Sequence, residues 1–139
     1  MKKFLKLFFS FCLTAFIISG CSANDAPKPL CRVVTGVDIA CRQEHMLIRR
    51  HYTDHKKMQS VLLYLRILDT QGQANVDPES IHNDIYEITV HLSDGNRHIY
   101  RQAAHRYFCR NTQPWEMIDP AQATQLYTLM RQLPSDPQL

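Results

Sequence analysis

The residues best suited to chemistry lie in one stretch, ITVHLSDGNRHIYRQAAHRYFC. His91, His98 and His105 recur in it every seven residues, and Cys109 closes it. Imidazole nitrogen and thiolate sulfur are ligands that zinc, copper and nickel accept. A cysteine beside a histidine can instead act as a nucleophile, if its pKa is lowered and a third group orients the base.

Two turns decide whether these side chains meet. The Asp-Gly pair at 94–95 predicts a two-residue type I′ hairpin, which places His91 opposite His98. A second turn at 103–104 would place His98 opposite Cys109. The three residues would then form one row across three strands, with neighbouring Cβ atoms about 4.5–5.5 Å apart. The sequence therefore offers His91, His98 and Cys109 as a candidate metal site.

The alternative interpretation is a solvated sheet face without a site. A meander with polar residues at alternate positions produces an interval of seven by itself, and His105 falls near the second turn. The row offers a metal only three ligands. A Cys-His nucleophile would lack its orienting group there, so we predict no catalytic residue and no enzyme.

The same registers predict which face of the meander is buried. The core face is expected to carry Ile88, Val90, Leu92, Ile99 and Phe108. The other face would then expose Tyr100 and Tyr107 together, and we predict a partner-binding patch there.

Periodic apolar residues predict the elements that precede the meander. Alternation predicts strands over 31–41 and 45–53, without a tight-turn signature between them. Steps of three and four residues predict a helix over 53–69, with Thr53 or Asp54 as its cap.

A second helix follows the meander. Asp119 is its predicted cap, Pro120 takes the first helical position, and Gln122 completes a capping box. The order is then β-β-α-β-β-β-α. It predicts an α+β fold in which two helices cover one face of an antiparallel sheet.

Between the first helix and the meander, residues 70–84 read TQGQANVDPESIHND. The stretch is polar, has no apolar period and contains Asp77 before a proline. It predicts a long loop, and such loops in small domains are often functional. We expect this loop to be mobile, and we expect Asp77 to mark it as the recognition loop.

The N-terminus reads as a secretory signal over residues 1–20. Three lysines precede an apolar run, and small residues precede Cys21. The motif ISGC resembles the lipobox of bacterial lipoproteins, which implies that Cys21 is lipidated and becomes the mature N-terminus. Residues 21–29 then form a proline-bearing tether, and residues 30–139 form a single small domain. The alternative is an ordinary signal peptide cut near Ser22 and Ala23.

Net charge gives no indication of a nucleic-acid partner. The chain has 16 Lys and Arg against 13 Asp and Glu, a formal charge of +3. The signal carries three lysines and no acidic residue, so the mature chain is formally neutral. We therefore expect no nucleic-acid partner.

The cysteines that remain beside the lipidated one are Cys31, Cys41 and Cys109. Exported proteins tend to pair their cysteines. Cys31–Cys41 would need a bend in the first strand, and Cys41–Cys109 would need the first hairpin to border the last strand. An odd number leaves one thiol free, and both pairings stay open.

The stretches KMQSVLLYLRILD, YEITVHLSDGNRHIYRQ, RYF and PWEMIDPAQATQLYTLMRQLPSD resemble small uncharacterised bacterial lipoproteins, from about Lys57 onward. That resemblance implies membrane attachment and a small α+β domain, and it implies no activity. G-x-S-x-G, phosphate-loop and H-E-x-x-H motifs do not occur. We therefore predict a non-catalytic binding module on the extracytoplasmic side of the cell membrane. It would be held by lipid, would need no other cofactor and would bind a protein or envelope component; the alternative is a metal-binding lipoprotein.

Overall fold

Alternation of apolar and polar residues produces one antiparallel sheet in the computed structural model, which describes residues 33–80 and 84–137. The predicted signal peptide, Cys21, the tether and Cys31 lie outside the described residues. Within them, seven strands join in the order β2-β1-β4-β5-β6-β7-β3. The strands are β1 (Val34–Gln43), β2 (Met46–Tyr52), β3 (Thr70–Gln73), β4 (Ile85–Leu92), β5 (Arg97–Ala103), β6 (Tyr107–Arg110) and β7 (Glu116–Ile118).

Two helices complete the described part of the chain, α1 (His55–Ile67) and α2 (Pro120–Gln132). The predicted caps are confirmed, because Asp54 accepts from the Lys57 amide at 3.0 Å and Asp119 accepts from the Ala121 amide at 2.9 Å. The capping box is not formed. The Gln122 side chain instead binds the end of α1, where its Oε1 accepts from the Asp69 amide.

Both helices lie on one face of the sheet, as predicted for this α+β fold. Their buried side chains share one apolar cluster with alternate residues of the central strands. The strand contribution comes from Val37, Ile39, Cys41, Tyr86, Ile88, Val90 and Leu92; the helix contribution includes Val61, Leu65, Leu126 and Met130. Burial of this cluster is the main source of stability.

Two short strands were not predicted. β3 pairs with β7, with Thr70 opposite Ile118 and Gln73 opposite Glu116, so the predicted loop is shorter by four residues. Neither segment has an apolar alternation of its own. Each gains its hydrogen bonds from a partner distant in the sequence, which a local pattern does not show.

The predicted register of the β4–β5 hairpin is wrong by one residue. Gly95 has a positive φ of 82° whereas Asp94 does not, so the turn is not type I′. The Gly95 amide donates to the Leu92 carbonyl at 3.0 Å, and the Leu92 amide donates to the Asn96 carbonyl at 2.9 Å. This is a three-residue loop with a glycine bulge. A shift of one residue turns every side chain of β5 to the opposite face.

The β5–β6 register also differs from the prediction. The positive-φ turn residues are Ala104 and His105, at 53° and 50°, rather than the pair at 103–104. Ala103 lies opposite Tyr107, and Tyr100 lies opposite Arg110. The turn therefore comes later in the chain than its sequence indicated, since alanine carries no signal for positive φ.

The chain beyond α2 returns to the end of β2. The Tyr52 hydroxyl donates to the Leu133 carbonyl at 3.0 Å. The Asp136 carboxylate accepts from the Thr53 and Asp54 amides at 2.8 Å each and pairs with Lys57. These contacts lower the pKa of Asp136, the bond from Lys57 contributing most. They also bring Ser135 beside His51.

Candidate binding site on the open face of the sheet

The three residues predicted to ligate a metal do not share a row. His91 lies opposite Arg97, His98 opposite Val90 and Cys109 opposite Arg101. His98 therefore belongs to the helix-covered face, while the other two belong to the opposite face. Among residues 33–80 and 84–137, no group of three or more His, Cys, Asp or Glu side chains is arranged to hold a metal ion. The prediction of one row is wrong because the turns before and after β5 both differ from the predicted ones.

The predicted tyrosine patch is also not formed. Tyr100 faces the helices and stacks on Phe108, with ring centroids 6.0 Å apart and 22° between the planes. Tyr107 lies on the other face, opposite Met117. The same shift of register separates the two rings.

Asp77 has a structural contact in its loop. Its Oδ1 accepts from the Glu79 amide at 3.2 Å, and its carbonyl accepts from the Ser80 hydroxyl at 2.7 Å, which holds a single 3-10 turn (Pro78–Ser80). Glu79 then pairs with Arg101 at 2.5 Å. The loop is thereby held against the sheet face opposite the helices, which we call the open face.

The open face is built from successive rows of polar side chains. One row contains Arg49, Ala40, Glu87, Arg101 and Cys109, taken from β2, β1, β4, β5 and β6 in that order. The next row contains His51, Asp38, Thr89 and Ile99. Ionisable groups of both signs therefore lie side by side on a rigid sheet.

Two adjoining hollows mark this face, with volumes of about 320 Å³ and about 280 Å³. Arg49, Ala40 and Glu87 line both, so we treat the hollows as one trough. Ala40 forms part of its floor with only a methyl group, and longer side chains rise on either side. At one end the trough reaches Asp38, His51 and Ser135; at the other it reaches Arg42, Glu79 and Arg101.

At the first end, one carboxylate holds two imidazoles. Asp38 Oδ1 lies 2.5 Å from His51 Nδ1, and Asp38 Oδ2 lies 2.7 Å from His91 Nε2. Gly36 leaves room beneath the rings, because a Cβ there would lie 3.8 Å from an atom of each imidazole. Partial burial alone would raise the pKa of Asp38, but the hydrogen bonds from both histidines outweigh it and lower the pKa.

Ser135 stands beside this cluster but does not complete a catalytic triad. Its Oγ accepts from the His51 amide at 2.9 Å and donates to the His51 carbonyl at 3.2 Å. The hydroxyl therefore binds the backbone rather than the imidazole. A nucleophile must contact its base, and that contact is not made here.

At the other end, Arg101 is held from several sides. Its guanidinium pairs with Glu79, donates to the Asn111 carbonyl at 3.3 Å and lies 5.8 Å from the Trp115 ring centroid. Cys109 is 1% exposed beneath this group. Burial raises the pKa of the Cys109 thiol despite the nearby Arg101 charge. A buried, protonated thiol is a poor nucleophile.

Between these two ends stand the opposite charges of Arg49 and Glu87. They flank Ala40 in one row, and both side chains are exposed. In the described part of the chain, neither forms an ion pair. The middle of the trough thus presents one cation and one anion that other side chains leave unpaired.

The sequence interpretation missed Asp38, His51 and Arg49 as site residues. A two-residue turn at Glu44 and His45 sets their register, which pairs Asp38 with His51. Glu44 has a positive φ of 47°, a conformation that glycine, asparagine or aspartate would have signalled. In the sequence, this register could have been predicted only by pairing the two predicted strands symmetrically about that turn.

Cys41 and Cys109 are both free thiols. Cys41 faces the helices from β1, whereas Cys109 lies on the open face of β6. The Cys41–Cys109 bridge that the sequence left open is therefore not formed.

Each described helix has thirteen residues, and neither is long and apolar enough to cross a membrane. No family model, no curated protein and no solved structure matches this chain.

Proposed function

We propose that the chain is a lipid-anchored binding module on the extracytoplasmic side of the cell membrane and that its ligand, an envelope component, occupies the trough. The observation that carries the binding role is that Arg49 and Glu87, on either side of a hollow, form no ion pair with any residue that the structure describes. Exposed charges that lack internal partners remain available to a ligand. Charges in a shaped depression also contribute to specificity.

The asymmetry of the sheet supports this role. Both helices pack on one face, so the core does not need the open face. The central trough residues Arg49, Ala40 and Glu87 sit on β2, β1 and β4, three adjacent strands paired over most of their length. Side chains on such a scaffold are held more precisely than those of a loop.

The surroundings of the two candidate nucleophiles, Ser135 and Cys109, favour a non-catalytic role. The Ser135 hydroxyl contacts backbone atoms of His51, and the Cys109 thiol is buried. Asp38 is shared between two imidazoles, so it holds both rings in place. This arrangement suits a rigid recognition surface.

The anchoring part of the proposal rests on the N-terminal motif alone. Replacement of Cys21 by Ser should remove the lipid acceptor and release the protein from the membrane fraction. Mass spectrometry of the N-terminal peptide should find acyl chains on the wild-type protein and none on the variant. Full-length wild-type protein that keeps an unmodified N-terminus would contradict the anchor.

The binding part can be tested by photo-crosslinking in the cells that make the protein. A small diazirine-bearing residue would replace Thr89, which lines the trough. The matched control would replace Gln59, which is exposed on α1. We expect a discrete adduct from position 89 and none from position 59. Adducts from position 59 alone, or from neither position, would contradict the proposal.

A further inference from the structure

The spacing of Arg49 and Glu87 restricts the kind of ligand that both can hold. The two residues lie opposite Ala40 on its two sides, one on β2 and one on β4. Adjacent strands lie about 4.7–4.9 Å apart, so these two Cα atoms are about 10 Å apart. A molecule lying over Ala40 can therefore reach both charged groups at once.

Two of the neighbouring charged groups in the trough already have partners. Asp38 is bound by His51 and His91, and Arg101 is bound by Glu79. Arg49 and Glu87 are left at the centre, and Arg42 adds a second cation in the smaller hollow. A purely anionic ligand at Arg49 would meet the repulsion of Glu87. A purely cationic ligand at Glu87 would meet the repulsion of Arg49.

A ligand with both charges satisfies both residues. The arginine fork matches the geometry of a carboxylate and can donate two parallel hydrogen bonds to it. A glutamate carboxylate accepts from an ammonium group. We propose, resting on the trough as the binding site, that the ligand is a short peptide with free termini. Its carboxylate binds Arg49 and its ammonium group binds Glu87.

The dimensions agree with a peptide of this size. The two hollows have volumes of about 320 Å³ and about 280 Å³ and share the residues between them. Small-molecule sites typically occupy about 300–1,000 Å³. A dipeptide laid across Ala40 would leave the remaining space for its side chains.

The test uses three dipeptides that differ only at their ends. Alanyl-alanine has both charges, its N-acetyl derivative lacks the ammonium group, and its C-terminal amide lacks the carboxylate. Each would be titrated into the full chain in detergent while the NMR signal of the Ala40 methyl group is followed. We expect each capped peptide to bind about tenfold more weakly or worse, because each loses a charge-assisted hydrogen bond.

Two variants assign each end to its residue. Arg49→Met should bind the free peptide and its amide equally, and Glu87→Gln should bind the free and acetylated peptides equally. Both residues are exposed, so the fold should persist. Arg66→Gln removes an exposed cation from α1 and should retain the full discrimination. These results together would establish the orientation of the peptide.

Equal binding of all three dipeptides to the wild-type chain would overturn the proposal. So would the absence of any shift of the Ala40 signal up to about 10 mM peptide, which corresponds to a binding free energy weaker than about 3 kcal/mol. If position 89 still forms adducts in cells, the trough remains the binding site and only the peptide assignment fails. If position 89 is also silent, both proposals fail.

Discussion

The two faces of the sheet differ in whether their side chains find partners within the fold. On the helix-covered face, Tyr86, Ile88 and Val90 pack into an apolar cluster that both helices complete. On the open face, the same strand β4 presents Glu87, Thr89 and His91. Alternate residues of this one strand thus stabilise the core, and the residues between them present polar groups on the open face. Side chains of the open face can therefore be replaced at little cost to the stability of the fold.

The polar groups of the two faces differ in the same way. Gln102 is buried on the helix-covered face, where its amide donates to the Ala123 carbonyl at 3.0 Å and its oxygen accepts from the Tyr64 hydroxyl. Its hydrogen-bonding capacity is used within the fold. Arg49 and Glu87 on the open face have no such ion-pair partners among the described residues. The internal hydrogen bonds of Gln102 indicate a structural role, whereas Arg49 and Glu87 are the residues that we propose to bind a ligand.

The largest expected effect comes from adjacent residues of β4. Ile88→Ala should lower the free energy of unfolding by about 2–5 kcal/mol, because it leaves a cavity in the core. Glu87→Ala, one residue earlier and on the open face, should change it by less than about 0.5 kcal/mol. Denaturant unfolding of both variants measures the contrast. Similar losses from the two would remove the distinction between the faces.

A smaller loss is expected from the buried amide. Gln102→Met keeps the approximate volume but leaves the Tyr64 hydroxyl without its acceptor, which should cost about 1–3 kcal/mol. Tyr64→Phe removes the donor instead and serves as the matched variant. Chemical denaturation of the two single variants and the double variant would give their coupling energy. A coupling near zero would show that this contact does not stabilise the core.

The third effect lies on the open face and depends on pH. Asp38→Asn removes the charge that both histidines contact, and at neutral pH it should cost about 0.5–1 kcal/mol for these part-exposed pairs. The pKa of Asp38 lies below its ordinary value of 3.8 in the folded chain. The wild-type advantage should therefore be present above about pH 4 and should be lost as pH falls through the lower folded pKa. Unfolding curves between pH 2 and pH 7 check this; a constant difference would contradict it.

The smallest effect should have the opposite sign. Gly36→Ala places a methyl group at ordinary contact distance from His51 and His91, and Gly36 does not have a positive φ. The variant should be about 0.5 kcal/mol more stable, since alanine restricts the unfolded chain. Thermal unfolding measures the change. A marked loss of stability would mean that the two imidazoles have less room than the distances indicate.

Features fixed by local sequence were predictable, and those fixed by long-range pairing were not. Asp54 and Asp119 were identified as caps because a cap acts within three residues. The trough was not, because it depends on registers set at Glu44 and Gly95. The first has no turn signature, and the second fits two loop lengths. The predicted loop after β4 was one residue too short, which placed His91 opposite His98. His91 instead reaches Asp38 through the pairing of β1 with β4, two strands distant in the sequence.

The most direct test of the central claim is the adduct yield from position 89 relative to position 59 in living cells. With wild-type Arg49 and Glu87, we expect adducts from position 89 alone. Removing both charges, with Arg49→Met and Glu87→Gln, should abolish them while the unfolding free energy stays within about 0.5 kcal/mol of wild type. Equal yields at the two positions, or adducts that survive the removal of both charges, would contradict the open face as the binding surface.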